Sequence, residues 1–292
     1  PPAGVEILAL TLNEIEAIDT WKNGGDPFSQ GYAISQLNPD HIKVTRYNYD
    51  SYNKIRRKST PDEMDQTQMW YDHLGRVRFS QDAKQNEEGN FAYNKFDNLG
   101  RSIEVGLFTP NADVDPLIPT NIQDAKAFPT HLDGTFKDIT LTYYNTNQPT
   151  IEPIFSGLVT PFLQHTQNDR NMRNRVGMIA RANSYDQNGI PQYTHSSIYE
   201  YDVSGNAIAV LKVDHDLLKD LKADQPTAIN YNILKEFGVK RTEYEFDLVS
   251  KNVNEIKYQK GQLDQFYHKY SYDADNRITK TFSSKDNLIW DL

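Results

Sequence analysis

Cysteine is absent from the 292 residues, which excludes disulfide bonds, thiol nucleophiles and Cys-ligated zinc. The absence leaves the compartment open, because a thiol-free chain survives in oxidising and reducing surroundings alike. Trp is scarce at 3 residues, and hydrophobic residues make up only 37% of the chain, so a thick core of aliphatic helices is not expected. No stretch approaches the roughly 18 uninterrupted apolar residues of a membrane span. Basic charge is also in deficit, with 31 Lys and Arg against 40 Asp and Glu for a net charge of −9. With no basic stripe to offset phosphate, nucleic acid is not an expected partner, and the acidic surface reads as solubility.

Aromatic residues are plentiful: 18 Tyr and 13 Phe. A ring that packs while its hydroxyl reaches water suits a half-buried pleated surface. These rings recur in one phrase: aromatic, any residue, aromatic, Asp, a short polar turn, then an apolar residue. The phrase runs Tyr47-Asn48-Tyr49-Asp50-Ser51-Tyr52-Asn53, then Trp70-Tyr71-Asp72-His73-Leu74-Gly75-Arg76-Val77, then Phe96-Asp97-Asn98-Leu99-Gly100-Arg101. A weaker copy is Tyr143-Tyr144-Asn145-Thr146-Asn147. Further copies are Tyr185-Asp186-Gln187-Asn188-Gly189, Tyr199-Glu200-Tyr201-Asp202-Val203-Ser204-Gly205, Tyr244-Glu245-Phe246-Asp247 with a longer turn, and Tyr270-Ser271-Tyr272-Asp273-Ala274-Asp275-Asn276-Arg277. Asp50, Asp72 and Asp97 fall 22 and 25 residues apart, room for two strands and two turns per unit.

Each phrase has the chemistry of a β-hairpin. Two aromatics at i and i+2 project from one strand face. Asp at the first turn position accepts backbone N–H groups and starts a type I turn. Gly or Asn three residues on tolerates the left-handed conformation that closes such a hairpin with a bulge. Elsewhere Asp138 to Tyr143 alternates with period two and reads as a strand, and loops are expected near 109–135 and 145–160. Leu217, Leu218 and Leu221 are spaced for a short helix, and a second is expected between Pro226 and Phe237, both as decorations on the sheet. Residues 1–40 read as a lead-in segment with a strand over Val5 to Leu12, and 41–292 as the repeat segment with a helical insertion at 215–237.

The Tyr-Asp-x-x-Gly-Arg phrases resemble the YD repeats of the RHS family, whose relatives include the cocoon components of insecticidal Tc toxins and the teneurin ectodomain. The longer stretches Gln68 to Asp82 and Tyr270 to Ile278 are similar to very large exported RHS-repeat proteins of gram-negative bacteria. The resemblance implies an all-β fold of antiparallel hairpins in a continuous curved sheet, part of a hollow β-shell or cocoon. It implies a secreted or cell-surface location, and as partners the remainder of the shell, an enclosed C-terminal toxin or effector domain, and export machinery. The Asp-Pro-x-Gly motif that ends many RHS cores does not occur here, so the resemblance covers shell rather than payload. Both chain ends read as cuts through a longer polypeptide, and the run Asn287 to Trp290 is expected to pair with a following strand.

No constellation of residues reads as catalytic, metal-binding or cofactor-binding. The seven His include no His-x-x-x-His spacing. Asp214-His215-Asp216, the densest candidate metal cluster, reads as a solvated turn. Asp62-Glu63-Met64-Asp65 lacks the frame of an EF-hand, and Asn23-Gly24-Gly25-Asp26 lacks the Lys-Ser/Thr of a phosphate cradle. The recurring Asp residues read as turn formers rather than general acids and bases. A structural encapsulation module without turnover of its own is therefore the leading expectation. The alternative is a surface module that binds glycans or a partner protein.

Overall fold

The computed structural model describes residues 45–60, 66–146, 170–224 and 238–292, and the chain divides into two units, 1–66 and 67–292. The expected strand over Val5 to Leu12, the second helix, Asn23 to Asp26 and Asp62 to Asp65 lie outside the described residues.

In the first unit β1 (Arg46–Tyr49) and β2 (Ile55–Ser59) form an antiparallel hairpin. In the second, the strands are β3 (Thr67–Tyr71), β4 (Val77–Gln81), β5 (Phe91–Phe96), β6 (Ser102–Pro110), β7 (Gly134–Tyr144) and β8 (Val176–Tyr185). They continue as β9 (Pro191–Tyr201), β10 (Ala207–Asp214), β11 (Val239–Phe246), β12 (Val253–Tyr258), β13 (Phe266–Tyr272) and β14 (Ile278–Ser284). From β3 onward every strand pairs antiparallel with its neighbour in the chain, so sheet order is chain order, and the sheet is not closed. The all-β, antiparallel expectation is met. Among the described residues the α-helices are short: α1 (Ala83–Glu88), α2 (Pro119–Gln123) and α3 (His215–Asp224).

One face of the sheet carries the core, with Phe79, Phe91, Tyr93, Phe108, Phe136, Ile139, Met178 and Ile198 all buried. Their rings meet edge to face, as with Tyr93 and Phe136 at 5.4 Å and 83°. The segment between β6 and β7 is no open loop: its Phe128 ring stands edge-on to both Phe79 and Phe108 at 6.0 Å.

Every odd-to-even hairpin contains a register shift just past its turn. In the β3–β4 pair Trp70 faces Phe79 and Tyr71 faces Val77, which leaves Arg78 as the extra residue. A regular strand would send Arg78 and Phe79 to opposite faces; the bulge lets both reach the 122–128 segment. Arg78 is fully buried. It donates to the carbonyls of Ile122 at 3.1 Å, Asp124 at 3.0 Å and Phe128 at 2.7 Å, and to that of Asn94. A buried guanidinium is tolerable only with its donors engaged in this way.

Helix α3 corrects two expectations. It is more than a decoration, because Leu218 belongs to the buried core and Lys219 Nζ donates to the Tyr193 carbonyl at 2.8 Å. Asp214-His215-Asp216 is no solvated turn either. Asp214 Oδ1 caps the helix by accepting the Leu217 N–H at 3.0 Å, while His215 is only 4% exposed, with Nε2 2.9 Å from Ser196 Oγ. His215 shares the sheet-facing side of α3 with Leu218, three residues on, so it is buried with it once the helix packs on the sheet.

The run Asn287 to Trp290 is not an extended strand. Asp286 Oδ1 accepts the Leu288 and Ile289 N–H groups at 2.9 and 3.1 Å, the chain bends, and Asp291 returns to bridge Ser283 on the outer side of β14. Trp290 then covers the Lys269 ammonium at 4.0 Å.

Candidate functional site

In a sheet whose order follows the chain, all odd-to-even turns fall at one end of the strands and all even-to-odd connections at the other. In the second unit the phrases ending in Asp72, Asp97, Asp202, Asp247 and Asp273 therefore form one rim. The turn of Asp186 joins β8 to β9 at the opposite end, where the Tyr185 ring packs on Phe136 at 5.2 Å.

The turn at Asp72 shows the unit. Its backbone N–H donates to the Arg76 carbonyl at 3.0 Å, and Gly75 N–H returns to the Asp72 carbonyl at 2.9 Å. Oδ1 accepts the N–H groups of Leu74 and Arg76 at 2.9 and 3.0 Å, and Oδ2 accepts Arg76 Nε at 2.7 Å and Nη2 at 2.6 Å. Asp97 repeats the pattern with Leu99 and Arg101 at the same positions. Asp50, Asp186 and Asp273 each accept the backbone N–H groups at i+2 and i+4, and Asp202 accepts Asn206 N–H and Nδ2. Asp247 starts a turn one residue longer, accepting from Val249, Ser250 and the Ser250 hydroxyl. Arg277 holds Asp273 at 3.3 Å and also pairs with Asp275.

The closing residue has positive φ in each case: Asn53, Gly75, Gly100, Gly189, Gly205, Lys251 and Asn276. Lys251 is the exception to the Gly or Asn rule, in the longer turn.

These contacts set the charge of the carboxylates. Burial works against ionisation of Asp72, but the Arg76 amide and guanidinium outweigh it and hold the carboxyl below its ordinary value. Asp97 and Asp202 are lowered in the same balance, by Arg101 and Asn206. Asp186 is lowered chiefly by the Ile190 amide. Each carboxylate is an acceptor for its own turn.

The repeats are also fastened to each other. The Arg76 guanidinium lies over the Phe96 ring at 4.3 Å, and Arg101 over the Tyr144 ring at 4.1 Å. Tyr201 and Tyr272 donate their hydroxyls to the carbonyls of Val176 and Val253, the first residues of β8 and β12, at 2.8 and 2.7 Å. Tyr49 is 54% exposed at the hairpin of the first unit and touches Tyr47. Tyr71 donates to Met69 Sδ at 3.5 Å, and Phe246 is tilted against Tyr244 at 6.4 Å.

The structure adds a member that the sequence pattern splits. Asn145 N–H donates to the Arg175 carbonyl at 3.0 Å, and Asn145 Oδ1 accepts Asn174 N–H at 2.7 Å. Asn174 has φ 59°. Asn145 thus plays the Asp, Asn174 the Gly and Arg175 the Arg, with the intervening residues inserted into the turn. Arg175 lies over the Tyr201 ring at 5.5 Å, continuing the ladder. The signal was present as Asn174-Arg175-Val176, but its partner stands about thirty positions upstream.

A second polar group sits inside the core. Glu104 Oε1 accepts the Tyr93 hydroxyl at 2.7 Å and pairs with Lys95 Nζ at 3.0 Å, all three side chains being buried. Burial, with the Glu104 charge beside them, pushes the Tyr93 and Tyr185 hydroxyls up and keeps them protonated. Alternation places these residues on the core face, but nothing local in the sequence pairs them.

No protein-family model matches the chain, and no curated protein matches it by sequence. Among solved structures it is similar to a TcdB2-TccC3-TEV protein, at 12% identity over 89% of this chain and 10% of that one, with a TM-score of 0.48. It is also similar to the Tc holotoxin pore of Photorhabdus luminescens, at 14% identity over 95% of this chain and 13% of that one, with a TM-score of 0.31. The chain spans about a tenth of the length of these proteins.

Proposed function

We propose that the chain is a structural encapsulation module, one section of an exported RHS-repeat shell that encloses or carries a C-terminal toxin or effector domain. The observation that carries this reading is the use of the turn carboxylates. Asp72, Asp97, Asp202 and Asp273 spend their lone pairs on their own backbone and on the Arg or Asn that closes the turn. Such a group builds a repeat; a catalytic carboxylate faces a substrate.

The turn tips supply the second support. Leu74, Leu99, Val203 and Leu248 stand on the rim with exposures of 64 to 87%. Apolar groups in a row mark a surface that meets more protein, which fits the remainder of the shell as partner. On this reading the protein acts without turnover, leaves a gram-negative cell through export machinery, and works in the medium or at the cell surface.

Limited proteolysis of the full-length polypeptide tests the proposal. The C-terminal domain should resist protease until the repeat region is unfolded. Digestion at the rate of the isolated domain would contradict enclosure.

A further inference from the structure

Across β8 to β11, a groove of about 600 Å³ opens on the face of the sheet turned away from the core. Alternation sets this face: Met178, Ala180, Ile198, Leu211 and Val213 are buried, and their chain neighbours point the other way. The register lays out the groove. In one row Arg181 faces His195, which faces Asp214; in the next Ser197 faces Lys212, which faces Lys240.

Lys212 and Lys240 are like charges directly opposite each other on paired strands, an arrangement that costs stability. Asp264 answers Lys240 at 2.6 Å. Arg181 and Lys212 are both exposed and form no salt bridge among the described residues. They stand on β8 and β10, two strand spacings and one row apart, roughly 12 Å between backbones, and their long side chains can meet above β9. A local rule broken on the surface of a chain with net charge −9 points to a ligand that repays it.

The same groove holds acceptors and a ring. Asp214 Oδ2 lies 3.9 Å from His195 Nε2, and the Ser197 hydroxyl sits on the strand between the two cations. The half-buried Tyr199 ring stacks with Tyr201 at 6.5 Å and 27°. An acidic peptide would set further carboxylates against Asp214. A sugar with one acid group and several hydroxyls uses both charges.

We propose that this groove binds an acidic saccharide. Arg181 and Lys212 hold the carboxylate or sulfate, Asp214, His195 and Ser197 take the hydroxyls, and Tyr199 receives one face of a ring. The volume lies within the ~300–1,000 Å³ of small-molecule sites. This binding is independent of the shell role and stands if that role fails.

Isothermal titration of the 292-residue chain tests it, with sialyllactose, lactose, sodium sulfate and an oligoglutamate as probes. Sialyllactose should bind in the sub-millimolar range and lactose should not. Lys212→Ala and Arg181→Gln should each weaken sialyllactose about tenfold, and Ser197→Ala should weaken it with sulfate binding unchanged. All three variants are judged on chains whose circular dichroism matches the parent. The assignment is overturned by any of four results: no sialyllactose binding, lactose binding equally well, sulfate or oligoglutamate binding as tightly, or indifference to Lys212→Ala and Arg181→Gln in folded chains.

Discussion

Arg76 belongs to two repeats at once: its Nε is 2.7 Å from the Asp72 carboxylate, and its guanidinium carbon is 4.3 Å from the centre of the Phe96 ring. The same relation joins Arg101 of one turn to Tyr144 of the next, and Arg175 to Tyr201. Asn206 then stands where Arg would, and its shorter side chain reaches only its own Asp202 at 2.7 Å.

Arg101→Lys keeps the charge and loses both the bidentate hold on Asp97 and the planar stack on Tyr144. It should lower stability by about 1 kcal/mol. Urea denaturation of the variant checks this, and an unchanged midpoint would remove the stack from the account.

Gly100 and Gly205 both have positive φ, 80° and 95°. Replacing Gly100 with Val should cost on the order of 1–2 kcal/mol, because a β-branched residue resists that conformation. A Cβ at Gly100 would meet only Arg76 Nη1, at 3.5 Å, whereas one at Gly205 would displace the Arg175 guanidinium from the Asn171 carbonyl and the Tyr201 ring that hold it. Gly205→Ala should therefore cost more than Gly100→Ala. Thermal unfolding of the two variants side by side gives the order.

Asp97→Ala removes an acceptor from two backbone amides and a guanidinium. A loss of about 1–3 kcal/mol is expected, with the same direction for Asp72, Asp202 and Asp273. A hydrolase or transferase activity that vanished in one of these variants while stability held would overturn the structural reading of the turn carboxylates.

Acid should weaken the fold in two steps. His215 is pushed down to about 4 by burial, with the Lys219 charge adding to it and Asp214 opposing. Its folded value lies below the ordinary 6.5, so the unfolded chain takes up the proton first. Its contribution is complete above pH 6.5 and declines toward pH 4, by on the order of 3 kcal/mol. The lowered carboxyls of Asp72, Asp97 and Asp202 contribute above their unfolded value near 3.8, and that stability is lost as pH falls through their folded values. Equilibrium unfolding measured from pH 7 to pH 3 should show both declines, and His215→Gln should flatten the first.

The turns were legible in the sequence because their chemistry is local: Asp72, Gly75 and Arg76 lie within five positions and satisfy one another. The antiparallel order followed from the spacing of those turns. What could not be read depends on partners distant in the chain. Arg78 is buried because carbonyls some 44 to 50 positions away close over it. Asn145 closes a turn with Asn174 and Arg175 across an insertion, and His215 finds Ser196 only once α3 lies on the sheet. The cationic groove needs four strands in register, which alternation within any single strand leaves open.

Arg76, Arg101 and Arg175 each fasten their own turn to the aromatic ring of the next repeat. A double-mutant cycle on Arg76 and Phe96, with Arg76→Ala, Phe96→Leu and the pair compared by urea denaturation, measures that fastening directly. A coupling of about 1 kcal/mol is expected. Additive single effects, with no coupling, would mean that the stacked guanidinium does not join the repeats.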